Sequence, residues 1–191
     1  ILIPTDVFPP YCGGSGWSTY YLVKALGERH EVTVVVPKPN VSGVAYGKYE
    51  NINIIYIGYK TSKLPMLGNY YKNEVFWKDF KKFIELHLEK KDYDIIHAQH
   101  QMTIIPSIEV GGEFSIPVVS TIRDYWPVCY FGTLGKGHEK NISVCECEKE
   151  KTKFPLTTMA RMYMKKNLKK KQEILRNSSA IIAVSSFVKS T

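Results

Sequence analysis

Apolar residues fall into runs of strand length that alternate along the chain with stretches of helical period. Ile1–Pro4 reads as a strand, and Trp17–Arg29 as a helix with Leu22, Ala25 and Leu26 on one face. Glu31–Val36 is a Val-rich run of the kind buried on both faces of a sheet. Ile52–Ile57 is a further strand. Glu74–Leu88 is strongly amphipathic, because Phe76, Phe80, Phe83, Ile84 and His87 recur at helical spacing. Tyr93–His97 reads as a strand, Met102–Val110 as a helix, Ile116–Ile122 as a strand, Thr157–Arg176 as a helix and Ala180–Val184 as the last strand. Alternation of this kind specifies an α/β fold: a doubly wound parallel sheet covered by helices, with ligands beyond the carboxyl ends of the strands. No run approaches the roughly 18–20 apolar residues of a membrane span.

Length and composition narrow this further. The 191 residues suit one domain, and the apolar content is too high for a disordered chain. The start at Ile1-Leu2-Ile3 and the close at Ser190-Thr191, early in a further helix, read as cuts in a larger protein. Cys12, Cys129, Cys145 and Cys147 form no disulfide framework at this length, which points to a reducing, cytoplasmic setting. The net charge of +8 is concentrated between Lys149 and Arg176, where Glu150 and Glu173 are the only acids. Such a segment suits a membrane surface, a nucleic acid or an anionic substrate, or is simply a solvated helix face. Nucleic acid is disfavoured, since no aromatic-interleaved basic motif appears.

The candidate chemistry lies where strands end. Asp6–Gly16 joins the first strand to the first helix and finishes in Gly13-Gly14-Ser15-Gly16. A glycine-rich helix start offers free N–H groups to an anion. A tight turn needing positive φ is the plain alternative. The dinucleotide fingerprint fails, because its last glycine falls on Thr19 and Val36-Pro37-Lys38 supplies no acid for a ribose. His97 and His100 end the strand of Asp94–His100, as ligand contacts or as a hydrogen-bonded strand cap. Arg123 and Asp124 follow the next strand. Arg123 can grip a phosphate and Asp124 can orient a hydroxyl or an imidazole, or the two form a structural pair.

Taken together, the F-P-P-x-x-G-G-x-G loop, the D-I-I-H-A run, the T-x-R-D-Y-W-P-V-C segment and Ser179–Ser186 resemble the family-four retaining glycosyltransferases. The resemblance spans essentially the whole chain. It implies the Rossmann-like N-terminal half of a two-domain GT-B enzyme, residues 1–191 forming the acceptor side. A C-terminal domain, outside this chain, would bind most of the donor. The implied reaction moves a sugar from a nucleotide-diphosphate donor to a sugar or lipid-linked acceptor, with retention and without a metal or other cofactor. Gly13, Gly14, Ser15 and Gly16 would approach the diphosphate, with His97, His100 and Tyr125 as further substrate contacts. Many members carry His where Arg123 stands. Arg123 stays protonated and cannot act as a base, but it can stabilise a leaving diphosphate beside Asp124.

Other features have local readings. Cys129, His138, Cys145 and Cys147 lie in the irregular stretch Cys129–Lys153, where a tetrahedral zinc site is conceivable but the Cys145-x-Cys147 spacing is tight. A mobile acceptor loop with free cysteines fits that stretch better. His87 belongs to the Phe stripe. Met159, Met162 and Met164 read as gap fillers. The stripe Ala160, Met164, Leu168 and Leu175 is interrupted by Lys171 and Gln172, yet the basic helix suits peripheral contact with an anionic membrane. The rival to an enzyme is a non-catalytic Rossmann-like module that binds phosphorylated sugars or anionic surfaces.

Overall fold

The computed structural model describes residues 1–39, 41–63, 65–130, 132 and 158–190. Its strands are β1 (Leu2–Pro4), β2 (Thr33–Pro39), β3 (Val44–Tyr49), β4 (Ile52–Tyr59), β5 (Ile96–Gln99), β6 (Val118–Ile122) and β7 (Ala180–Ala183). Its α-helices are α1 (Gly14–Gly27), α2 (Pro65–Tyr70), α3 (Phe76–Leu88), α4 (Gln101–Phe114), α5 (Thr158–Leu175) and α6 (Ser186–Ser190), with a π-helical turn at Tyr71–Val75 between α2 and α3. The strands form one sheet in the order β3-β4-β2-β1-β5-β6-β7. The pairs β1–β2, β1–β5, β2–β4 and β5–β6 run parallel, and β3–β4 is an antiparallel hairpin.

Set β3 aside and the order is that of a doubly wound Rossmann sheet. The chain begins in the middle, builds outward through β2 and β4, then returns to place β5 on the other side of β1. The reversal leaves a crevice at the carboxyl ends of β1 and β5.

β2 shows why the sheet holds helices on both faces. Val34 and Val36 pack with Ile3, Ile54 and the α1 residues Tyr20 and Val23, while Val35 points the other way and is equally buried. On that second face Tyr59 meets Phe76 of α3 edge to face, ring centroids 5.4 Å apart. Phe76, Trp77, Phe80, Ile84 and Leu88 form the buried stripe of α3. Burying a side chain of this size is worth about 1.5–3 kcal/mol, so this helix is fixed by packing.

The expected elements are present, with three corrections. The face that α1 buries is Gly16, Thr19, Tyr20 and Val23; Ala25 is exposed, and Leu22 and Leu26 are half-buried. Strand β5 starts at Ile96, so His97 is inside the strand and does not end it. The hairpin strand β3 was not anticipated, because a short edge strand with partly exposed residues gives little apolar signal. His87 is a packed residue as expected. Its Nε2 lies 2.7 Å from Tyr93 Oη, and burial, then Lys91 and Lys90, lowers its pKa.

The fold divides into two compact units. One is Ile1–Thr121 with Ser178–Ile182, the other Ile122–Asn177 with Ala183–Thr191. Each is described by itself below.

Candidate functional site

In the first unit, the chain leaves β1 at Asp6 and enters α4 at Gln101, so both sides of the crevice are built from strand ends. Asp6 does much of the joining. Its Oδ2 accepts the Met102 N–H at 3.1 Å, and its Oδ1 lies 3.3 Å from Thr103 Oγ1. A carboxylate here also meets the positive end of the α4 dipole.

His100 completes the corner. Its backbone has φ 76° and ψ 172°, a region nearly reserved for glycine, so the surroundings must hold it there. The His100 N–H donates to Thr121 O at 3.3 Å, and His100 O accepts from Ile104 N–H at 3.0 Å. The ring Nδ1 accepts the Gln101 N–H at 2.9 Å and stands 3.2 Å from Asp6 Oδ2. Accepting from Gln101 requires an unprotonated Nδ1, which leaves the proton on Nε2. An imidazolium would instead present Nδ1–H to Asp6. His97 pairs with Thr121, its Nε2 2.8 Å from Oγ1. Behind His100, Gln101 Nε2 donates to Oδ1 of buried Asn73 at 2.7 Å, which ties the π-helical turn to the start of α4.

The glycine loop begins α1. Gly13 has φ −83°, so the turn does not need a left-handed residue, and no side chain caps the helix. A Cβ at Gly13 or Gly14 would meet nothing within 4 Å, whereas one at Gly16 would sit 2.4 Å from Cys12 Sγ. Gly16 is therefore demanded by packing. Gly13 and Gly14 leave open space before the first N–H groups of the helix, which have no intrahelical acceptors. Burial pushes the Cys12 thiol pKa up, and a hydrogen bond from the Trp17 backbone N–H pulls against it.

The sequence profile of Glycosyltransferase Family 4 matches residues 12–191. The chain belongs to this family. Solved structures agree on the fold. An E. coli trehalose-6-phosphate protein bound with UDP-2-fluoro glucose matches over 98% of this chain and 40% of its own, at TM-score 0.52 and 11% identity. Sucrose-phosphate synthase from Thermosynechococcus elongatus matches over 99% of this chain and 43% of its own, at TM-score 0.52 and 16% identity. An α,α-trehalose-phosphate synthase (UDP-forming) from Burkholderia vietnamiensis covers 99% and 40%, at TM-score 0.52 and 9% identity. No curated protein sequence matches significantly. The chain spans about two fifths of the length of these structures and has the Rossmann-like fold of a GT-B N-terminal half.

The second unit of this glycosyltransferase domain carries Arg123, Asp124 and Tyr125. Asp124 Oδ1 accepts the Trp126 N–H at 2.9 Å, an Asx turn that starts the loop. Cys129 N–H donates to Tyr125 O at 2.7 Å, and Gln172 Nε2 of α5 donates to Pro127 O at 2.9 Å. Trp126 is fully buried, and the Tyr125 ring meets Phe187 edge to face at 5.9 Å. Gly132 has φ 71°, and a Cβ there would lie 3.4 Å from Asp124 Oδ2. Arg123 is half-buried, and burial lowers the pKa of its guanidinium.

The predicted residues thus fall into separate places: Gly13–Gly16 at α1, His100 at the crevice, His97 inside β5 and Arg123–Tyr125 in the second unit. Cys129 is buried, while His138, Cys145 and Cys147 lie outside the described residues. Among the described residues, no three His, Cys, Asp or Glu side chains are grouped for a metal, and no helix is long and apolar enough to cross a membrane. Sequence reasoning passed over Asp6 and Asn73. An acid directly after the first strand is a readable signal for Asp6. Asn73 has none, since its partner Gln101 is far away in sequence.

Proposed function

We propose that the full-length protein transfers a sugar from a nucleotide-diphosphate sugar to an acceptor, with retention of configuration. The observation that carries this reading is the open N-terminus of α1. Gly13 and Gly14 have side-chain space to spare, beside a crevice where such sheets bind ligands. In this reading the N–H groups of Gly14 and Ser15 receive the donor diphosphate, with Gly16 holding the turn. Arg123 offsets charge on the leaving diphosphate, and Asp124 positions its loop through the Trp126 bond. His97, His100 and Tyr125 contact substrate. A C-terminal domain beyond residue 191 supplies most of the donor site, and neither a metal nor another cofactor takes part. The setting is cytoplasmic.

The test is nucleotide release from UDP-, GDP- and ADP-sugars by the full-length protein, with and without lipid extract. Release from one donor supports the reading. A folded protein that releases nucleotide from none favours a module that binds phosphorylated sugars without turning them over.

A specific observation supports peripheral membrane contact by the Lys149–Arg176 segment. Met159 and Met162 of α5 are 81% and 66% exposed, on the same side as exposed Lys166 and Lys170. An apolar tip followed by lysines suits an anionic bilayer and a lipid-linked acceptor. Co-sedimentation with anionic but not neutral vesicles is the expected result; equal sedimentation with both contradicts it.

A further inference from the structure

A second hollow lies at the carboxyl end of β4, in the first unit. It is a cavity of about 580 Å³ whose polar lining is Ser42, Tyr59, Lys60, Thr61, Tyr71 and Asp79. Its floor is set by a glycine. The Gly58 N–H donates to Gly43 O at 2.8 Å, and a Cβ on Gly58 would overlap Val41 O at 1.9 Å. No larger residue lets the segment before β3 come down onto the strand. The volume holds a sugar ring with room for its substituents.

The hollow is joined to the crevice through one structural element. The π-helical turn Tyr71–Val75 supplies one wall through Tyr71, and its Asn73 is bonded to Gln101 beside His100. π turns inside helices recur at functional sites. Neighbouring strands lie about 4.8 Å apart, so β4 ends roughly 10 Å from β1, a separation of one or two sugar rings. Tyr59 links the two places as well. Burial raises its phenol pKa, and the Asp6 carboxylate adds to the rise.

The lining defines the ligand. Lys60 and Asp79 take part in no ion pair among the described residues. One cation and one carboxylate leave the hollow without net charge, in a chain whose formal charge is +8. Phenols, hydroxyls, one strong donor and one strong acceptor suit a neutral polyol; an anion would face Asp79.

Resting on the transferase reading above, we propose that this hollow is the acceptor-selectivity subsite and takes a neutral, polyhydroxylated sugar ring, with Lys60 and Asp79 as its polar contacts and Tyr59 and Tyr71 as its aromatic walls.

The experiment uses the full-length protein with the donor found by nucleotide release. The acceptor probes are the methyl glycosides of glucose, galactose and mannose, and the corresponding 6-phosphates. Asp79→Asn, Lys60→Gln and Tyr71→Phe are compared with the parent, with melting curves to check folding. The expected result is transfer to a neutral glycoside, with acceptor KM raised about tenfold by Asp79→Asn or Lys60→Gln and kcat reduced far less. Tyr71→Phe, which keeps the ring, should change KM least. The subsite is overturned if the parent transfers but all three variants keep its acceptor KM. Its neutral character is overturned if a 6-phosphate is preferred and Asp79→Asn improves its use. A parent that turns over no donor fails the transferase reading itself, and the subsite falls with it.

Discussion

The loops that follow β1 and β6 are opposites in construction. The loop after β1 ends in small residues: the helix it opens has no side-chain cap, and Gly13 and Gly14 face open space. The described part of the loop after β6 is built from large and polar residues packed on one another, with buried Trp126 under an Asx turn and Gln172 holding Pro127. The first leaves backbone donors for something else to use. The second engages the Trp126 and Cys129 N–H groups with its own acceptors, Asp124 Oδ1 and Tyr125 O. Glycine-rich sequence in one loop and charged-aromatic sequence in the other both read as chemistry; among the described residues the first leaves side-chain space open and the second is held by hydrogen bonds to Asp124 and Gln172.

Substitutions separate the two roles, and the largest effect belongs to the closed loop. Trp126→Ala should lower unfolding stability by about 3–5 kcal/mol in chemical denaturation, since a fully buried indole leaves a cavity. A loss under about 1 kcal/mol would mean the loop is not packed as described.

Gly16→Ala comes next, at about 1–3 kcal/mol, because the new methyl meets both Sγ and Cβ of Cys12, and Cβ cannot move without the backbone. Adding Cys12→Gly should recover most of that loss; no recovery would place the strain elsewhere. Asp124→Ala should lose about 1 kcal/mol by orphaning the Trp126 N–H, while Asp124→Asn keeps an acceptor and loses less. Equal losses would show that the charge matters and the Asx turn does not.

Gly14→Ala sharpens the contrast most. It should change stability by less than about 1 kcal/mol, yet cut nucleotide release by the full-length protein roughly tenfold or more. The reverse pattern would make the open loop structural after all.

The smallest effect lies outside both loops. The folded-state pKa of His87 is depressed by burial, so its contribution to stability is complete above about 6.5 and declines as pH falls from there toward the depressed value. Urea midpoints from pH 8 to 5 should show a slope in that window that His87→Gln reduces; an unchanged slope would assign it to other groups.

The sheet and most of its helices were readable because they obey simple periods. α3 is the clear case, since its Phe and Ile residues fall on one stripe and that stripe is buried. α5 was read less well. Its buried face is Met164, Asn167, Lys171 and Leu175, so Lys171 belongs to the packed stripe it was expected to interrupt. A lysine stem is apolar enough to pack, and its Nζ lies 5.1 Å from the Tyr130 ring centroid. A pattern that scores every lysine as outward cannot find this.

The candidate site divides in the same way. Gly13–Gly16 were legible as the start of a helix without a side-chain cap, and α1 begins there. His100 was legible as a residue but not as a corner. Its strained backbone and its proximity to Asp6 depend on β1 and β5 becoming neighbours, which only the sheet order reveals. Asn73 and the hollow beside it depend on a π-helical turn that leaves no mark in a hydrophobic pattern.

The central claim is that the N-terminus of α1 receives the donor diphosphate. The most direct measurement is amide hydrogen exchange of residues 13–17 in the full-length protein, with and without saturating UDP, GDP or ADP. The expected result is slowed exchange at Gly14 and Ser15 with the nucleotide of the preferred donor, lost in Gly14→Ala. Bound nucleotide with unchanged exchange across residues 13–17 would contradict it.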